Sequence, residues 1–352
     1  MDEQMAPVNV VFQGTPPARG STGRTERMRV LAVIPGDGQG VSFVFARRQV
    51  EALTRNGVDV RTLFWADRLS PFRLLREFIG LRHTIQEFMP DLIHAHYGTI
   101  TAFVVVLASN RPVVVTYRGS DLNPEYGIGL VRRILGLLLS ELAALRAAAI
   151  ICTSEGLRDR LWWRKDHAVV VPSGINLALF RPMDQERARR ALGWNVSERV
   201  VLFNAGMAPA LKGWDLLQHA LKVARELIGP IRLVVLRGDT PPDQVPIYLN
   251  SSDCLVLASH SEGSPNIVKE ALACNLPVVA VDVGDVAERL RIVTPSRIVC
   301  RNGAEMGQAI AEIISLKSRS NGREKILNLS EDCLSRKVID VYTSALRHDS
   351  RR

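Results

Sequence analysis

Two tandem α/β domains, each a doubly wound parallel sheet covered by helices, are what this sequence predicts. Three observations lead there. The chain has 352 residues, more than one hydrophobic core organises, since single cores stop growing near about 250–300 residues. Short apolar runs of strand length alternate with segments of helical period, and crossover helices between strands imply parallel pairing. The alternation pauses once, at Pro172-Ser173-Gly174, and then restarts.

The first domain is expected over 28–172. Met28–Pro35 is an apolar run ending in Gly36-Asp37-Gly38-Gln39-Gly40, and Phe43–Arg55 then takes up helical spacing: a strand, a glycine-rich turn and a helix. The same logic assigns strand Val58–Phe64, helix Pro71–Phe88, strand Asp91–His96, helix Thr99–Ser109 and strand Pro112–Thr116. A loop to Ile128, helix Gly129–Ala147, strand Ala149–Thr153, helix Glu155–Trp163 and strand Ala168–Val171 complete it. Residues 1–27, rich in Pro, Gly, Thr and Arg without a continuous apolar stretch, read as a flexible lead-in and not a signal peptide.

A linker over 173–182 carries no clear period, and the second domain is expected over 183–320. It runs helix Asp184–Leu192, strand Arg199–Asn204, helix Gly213–Ile228, strand Ile231–Leu236, helix Pro242–Asn250 and strand Cys254–Ala258. Helix Pro265–Cys274, strand Pro277–Val281, helix Asp285–Leu290, strand Arg297–Cys300 and helix Ala304–Leu316 follow. Within 321–352, one helix from about Gly322 to Leu346 is placed to cross back to the first domain. In open α/β sheets ligands sit beyond the carboxyl ends of the strands, so function is expected in loops facing a cleft between the two sheets.

The composition, 47% hydrophobic and 23% charged, excludes disordered, collagen-like and coiled-coil classes. A net charge of +9 raises a polyanion partner. Its excess is spread over both halves, without a long basic run or an RNP, zinc-finger or helix-turn-helix pattern, so no nucleic-acid partner is expected. Cys152, Cys254, Cys274, Cys300 and Cys333 form no CxxC or Cys/His metal spacing and read as reduced thiols, with no metal site. Ile93–Asn110 contains two histidines and a turn, while Ile134–Ile151 is interrupted by Glu141 and Arg146, so neither reads as a membrane span. A cytoplasmic protein is expected, with peripheral contact at the inner membrane face left open.

Glu262-Gly-Ser-Pro-Asn-Ile-Val-Lys-Glu270 carries the chemistry. Ser264 suits an N-cap and Pro265 the first helical position, so a helix is expected to start there with free amides facing the strand's carboxyl end, a place that attracts phosphate. Glu270 then lies about 9 Å further along the axis at 1.5 Å per residue. One carboxylate on each side of an anion site accepts hydroxyls from both ends of a nucleotide-sugar; the plainer reading leaves both as solvated charges.

Here the chain resembles the retaining glycosyltransferases of family 4, with the GT-B fold, whose hallmark is E-x7-E followed by a small-residue helix and a PVV strand. This sequence has Glu262-x7-Glu270-Ala-Leu-Ala-Cys-Asn-Leu-Pro-Val-Val. Val171-Pro-Ser-Gly-Ile-Asn176 with Phe180-Arg-Pro182, Asp91-Leu-Ile-His-Ala-His96 and Val114-Val-Thr-Tyr-Arg-Gly-Ser-Asp121 extend the resemblance, whose wording is closest to bacterial envelope-polysaccharide enzymes of the teichuronic-acid type. It implies a nucleoside diphosphate sugar as co-substrate, a glycan or lipid-linked glycan as acceptor, and no metal or other cofactor. Glu262 would meet donor-sugar hydroxyls, Glu270 the ribose, and the backbone of Gly263, Ser264, Pro265 and Asn266 would surround the phosphate and sugar. Lys212 would neutralise the pyrophosphate beside Gly206, and Gly38 and Gly40 would let backbone approach the diphosphate or acceptor.

Two positions depart from the family. Met207 stands where a second cation is usual, a gap that Arg237 could fill, and Arg118 stands where the VVTxH loop has His. Arg118 is either the second cation reaching across the cleft or a structural partner of Asp121. His94 and His96, alternating at a strand end, are expected on opposite faces, His94 packed and His96 toward an acceptor hydroxyl or donor sugar. Helix Pro71–Phe88 sets Phe72, Leu75, Ile79, Ile85 and Phe88 beside Arg73, Arg76, Arg82 and His83, which fits an anionic membrane surface or, the favoured reading, a sheet-covering helix. A degenerate glycosyltransferase acting as a nucleotide-sugar-binding partner subunit, or an epimerase on this fold, remains an alternative. A dinucleotide oxidoreductase is disfavoured because no GxGxxG opens either half.

Overall fold

Parallel strands buried on both faces lose their alternation and read as continuous apolar runs, and that is how the chain builds its sheets. The computed structural model describes residues 27–39, 42–66, 71–123 and 129–349; the lead-in through residue 26, Gly40 and the side chains of Phe72 and Arg73 lie outside them. The chain begins β1 (Arg29–Pro35), α1 (Val44–Arg55), β2 (Asp59–Trp65), α2 (Pro71–Phe88), β3 (Leu92–His96) and α3 (Thr99–Ala108). β4 (Val113–Tyr117), α4 (Leu130–Arg146), β5 (Ala149–Cys152), α5 (Glu155–Arg158) and β6 (Ala168–Val170) follow.

The strands form a parallel sheet of order β2-β1-β3-β4-β5-β6. Leu31, Ile93, Val115 and Ile150 centre its core, against which Leu81 and Phe88 of α2 and Val105 of α3 pack.

A second alternation holds α6 (Gln185–Ala191), β7 (Val200–Gly206), α7 (Trp214–Ile228), β8 (Arg232–Arg237), α8 (Val245–Ser251), β9 (Cys254–Leu257) and α9 (Asn266–Ala273). It ends with β10 (Val278–Val281), α10 (Val286–Leu290), β11 (Arg297–Val299), α11 (Gly303–Ser315), α12 (Gly322–Lys325) and α13 (Glu331–Asp349). The sheet is parallel, of order β11-β10-β9-β7-β8, around Val201, Phe203, Val256 and Val279. Both orders reverse direction once, between β1 and β3 and between β7 and β9, and such reversals open the crevices where α/β sheets hold ligands.

The chain divides into two compact units. One takes the chain up to Thr153, Leu157–Val171 and the chain from Ser335; the other takes Ser154–Gly156 and Pro172–Leu334, so α13 starts in the second unit and continues in the first. Two helices differ from expectation. α5 stops at Arg158, short of Trp163, because the Trp162 N–H is taken by Glu141 Oε1 at 3.1 Å and Arg164, at φ 59, opens a 3-10 turn over Lys165–His167. The single helix expected from Gly322 is broken at a 3-10 turn, Leu327–Leu329, where Ile175 N–H donates to Leu329 O at 2.9 Å and Glu331 N–H to Ile175 O at 3.1 Å. Those bonds to the neighbouring segment replace the intrahelical ladder there.

Candidate functional site

In the second unit the loops after β7 and β9 meet at the reversal of strand order. Gly206 ends β7 at φ 51 and Gly213 precedes α7 at φ 79, both in the left-handed region that favours glycine. A Cβ on Gly213 would overlap the Ala258 carbonyl oxygen, so the turn carrying Lys212 is pressed against the exit of β9. His260 N–H donates to Leu211 O at 3.0 Å and fastens the two loops. As a result Lys212 Nζ lies 2.6 Å from Glu262 Oε1, which also accepts from Ser259 Oγ at 2.8 Å. Both side chains keep solvent access, 30% for Lys212 and 14% for Glu262, so a ligand can reach either.

The loop ahead of α9 is held by groups that sequence reasoning passed over. Lys269, almost fully buried, donates to Ser264 Oγ at 3.0 Å and to Ser173 O at 3.0 Å; Ser264 Oγ donates to Asp285 Oδ2 at 2.8 Å, which also accepts from Arg289 Nε at 3.1 Å. Ser264 therefore does not cap the helix: its hydroxyl is committed to Asp285 and Lys269, the N-cap is Pro265 without a side-chain bond, and Asn266 is the first helical residue. Gly284, at φ 62, sits where a Cβ would stand 2.5 Å from Gly263 O, so the exit of β10 braces the loop. Asn266 Oδ1 is buried with no hydrogen-bond partner among the described residues, and Glu270 lies half-buried on the second turn of α9. Burial of Lys269, the one signal available, is invisible to a pattern that treats lysine as surface.

Met207 is 86% exposed and its sulfur occupies the space a Cβ on Gly238 would need. Arg237 is the register partner of Gly206 across β7 and β8, is exposed, and makes no ion pair among the described residues. A cation thus stands beside the glycine that precedes Met207.

In the first unit His94 and His96 do not point to opposite faces. Neighbours alternate in a strand, but residues two apart share a face, and the two rings stack with centroids 3.9 Å apart. His94 bonds Tyr342 Oη of α13 through Nδ1 and Thr116 Oγ1 through Nε2, each at 2.6 Å. His96, expected toward an acceptor hydroxyl or donor sugar, is fully buried as well. Burial, aided by the nearby Arg118 charge, brings His94 down to about 3, and burial, His94 and Arg118 hold His96 well below the ordinary 6.5, so both rings are neutral. Arg118 Nη2 lies 2.9 Å from His96 Nδ1; a guanidinium only donates, so Nδ1 accepts and the proton sits on Nε2, which has no partner among the described residues. His96 is built as a hydrogen-bond donor.

Arg118 also donates to Gln49 Oε1 at 2.7 Å and lies over the Phe45 ring at 4.8 Å, while its backbone N–H, with those of Gly98 and Gly119, donates to the buried Asp121 carboxylate at 2.8–3.0 Å. Burial draws the guanidinium down to about 10, still charged at neutral pH. It lines a cavity of about 420 Å³ with Ser42, Phe43, Phe45, Tyr97 and Ser120. Phe43 (φ 48) and Tyr97 (φ 104) are held in the left-handed region, a strain that non-glycine residues keep where surrounding structure fixes them. The sequence gives little sign of this aromatic pocket. Gly38, at φ 78, would set a Cβ 2.9 Å from the Phe64 ring, so packing alone demands glycine there. No three His, Cys, Asp or Glu side chains group as metal ligands among the described residues.

Comparison with known proteins follows the same division. Residues 7–174 match the model of the glycosyl transferase 4-like domain, and residues 205–315 that of glycosyl transferases group 1. A putative teichuronic acid biosynthesis glycosyltransferase, TuaC of Bacillus subtilis (strain 168), is 30% identical over 245 residues, 64% of this chain and 61% of that protein's length. Sucrose-phosphate synthase from Thermosynechococcus elongatus superposes with TM-score 0.73 at 17% identity, covering 92% of this chain and all of that one. Anabaena Alr3699/HepE in complex with UDP superposes with TM-score 0.68 at 17% identity over 90% of this chain and all of that one. At such identities the likeness is one of fold.

Proposed function

The chain belongs to the family-4 glycosyltransferases that these two domain models describe, and from that premise we propose that it moves a sugar, with retention at the anomeric carbon, from a nucleoside diphosphate to a hydroxyl of a lipid-linked glycan in cell-surface polysaccharide synthesis. The observation that carries the reading is the Lys212–Glu262 pair, 2.6 Å apart, set beside the braced loop that starts α9. A diphosphate departing from the sugar needs fixed positive charge, and a lysine with helix-terminal amides supplies it without reorganisation. Lys212 takes the pyrophosphate, Glu262 a donor-sugar hydroxyl and Glu270 the ribose. Arg237 takes the place that Met207 leaves without charge. The bond from the anomeric carbon to the phosphate oxygen breaks with its electron pair going to the diphosphate, the acceptor oxygen bonds the same face, and its proton passes to the departing phosphate. In this reading no metal or cofactor takes part.

The aromatic cavity suits the acceptor: Phe43, Phe45 and Tyr97 give it an apolar aromatic lining of the kind sugars pack against, and Arg118 gives it a fixed positive charge. Teichuronic acid biosynthesis in the name of TuaC supports an envelope glycan, UDP bound to HepE supports a nucleotide donor, and a cytoplasmic enzyme working at the inner membrane face fits both. Thermal-shift screening with UDP-, GDP- and ADP-sugars tests the donor, since a ligand at a hundred times its Kd stabilises by about 2.7 kcal/mol. Radiolabelled donor then has to give a new glycan. An isomerised nucleotide-sugar alone would establish an epimerase, and binding without transfer a partner subunit; either ends this reading.

A further inference from the structure

α4 turns a stripe of large apolar side chains to solvent. Val131, Ile134, Leu135, Leu138, Leu142 and Leu145 are all exposed, from 41% at Leu138 to 81% at Val131. At 3.6 residues per turn these six fall within an arc of about 100°. The opposite face, with Ser140, Ala143 and Ala144, is buried. Arg132, Arg133 and Arg146 are the exposed charges of this helix; its one carboxylate, Glu141, is fully buried and accepts the Trp162 N–H. That bond, with Arg164 Nη1 donating to Ala144 O at 2.9 Å, straps the loop carrying Trp162 and Trp163 to α4, and both indoles are exposed.

We infer that α4 and the Trp162–Trp163 loop form a docking surface for an anionic lipid bilayer. Leucines sink among acyl chains, indoles favour the headgroup level, and arginines meet lipid phosphates. A second copy fits less well. Antiparallel pairing along the stripe would set Arg132 and Arg133 of one copy near Arg146 of the other, parallel pairing would oppose like with like, and no exposed carboxylate on α4 answers them. The surface differs from α2, where Leu81 and Phe88 are buried in the core and only Leu75 and Ile79 stand exposed among the described apolar side chains. No helix among the described residues is long and apolar enough to cross a membrane, so the contact is peripheral.

Co-sedimentation of the full chain with phosphatidylcholine vesicles, with and without phosphatidylglycerol, reads the contact without turnover, so its failure and that of sugar transfer are told apart. Binding is expected to the anionic vesicles, weakened by salt, with a blue shift of tryptophan emission. I134S/L138S should weaken it at least about tenfold and R132Q/R133Q should remove its salt dependence, both with unchanged melting, while L75S/I79S leaves binding intact. Absence of binding at low salt, wild-type binding by I134S/L138S, or a dimer that I134S/L138S dissolves would overturn the inference.

Discussion

Mild acid should loosen the first unit through the stacked histidines. Folded, His94 is brought down to about 3 and His96 held well below 6.5; unfolded, both return to the ordinary 6.5. Below 6.5 the unfolded chain therefore binds more protons, and stability falls as pH falls. The contribution is complete above 6.5 and is lost between 6.5 and about 3 for His94. Each pKa unit is worth about 1.4 kcal/mol, so one pH unit below 6.5 the pair costs about 3 kcal/mol, a large part of the about 5–15 kcal/mol that holds a domain together. Hydrogen exchange followed on peptides from β3 and β4 across a urea series, at neutral pH and at about pH 5.5, confines the reading to this unit. H94Q/H96Q provides the comparison. Wild type should lose about 3 kcal/mol over that interval and the variant much less; equal losses would show that the imidazoles are not held neutral and refute the reasoning.

Gly213→Ala places a Cβ on the Ala258 carbonyl at a left-handed φ and should cost about 3 kcal/mol in urea unfolding of the second unit; a loss under about 1 kcal/mol would mean that the two loops part easily. Lys212→Ala should lower kcat about 100- to 1000-fold, and Arg237→Ala should add a loss of similar kind that Arg237→Lys partly restores. An unchanged kcat in Arg237→Ala would leave Met207 uncompensated.

The β-strands were legible because parallel strands buried on both faces are continuous apolar runs; β1, β4 and β10 stand within a residue of their expected limits. What the local pattern missed came from distant segments. Ser264 has the chemistry of a cap, but Lys269 and Asp285 take its hydroxyl. The helix expected from Gly322 is interrupted by a bridge to Ile175 that no periodicity records. His94 and His96, two residues apart on β3, share a face, as strand alternation requires of such a pair. At the candidate site, Glu262, Lys212 and Glu270 are legible through the family resemblance, whereas the aromatic cavity is assembled from three separate segments, the start of α1 among them, with no common pattern. Exposure of the leucines on α4 was equally hidden, since an apolar stripe in sequence looks alike whether it meets a sheet or water.

The first unit is discontinuous in the chain, and this orders its synthesis. His94 finds its partner on Nδ1 only at Tyr342, 248 residues later. At about 5–20 residues per second on the ribosome, that separation takes roughly 12–50 s. The segment from Pro172 to Leu334, nearly all of the second unit, emerges in the meantime. The unit begun first is therefore the one finished last, and until α13 arrives it waits with a polar gap beneath its sheet, exposed to chaperones and proteases for longer than the unit made after it.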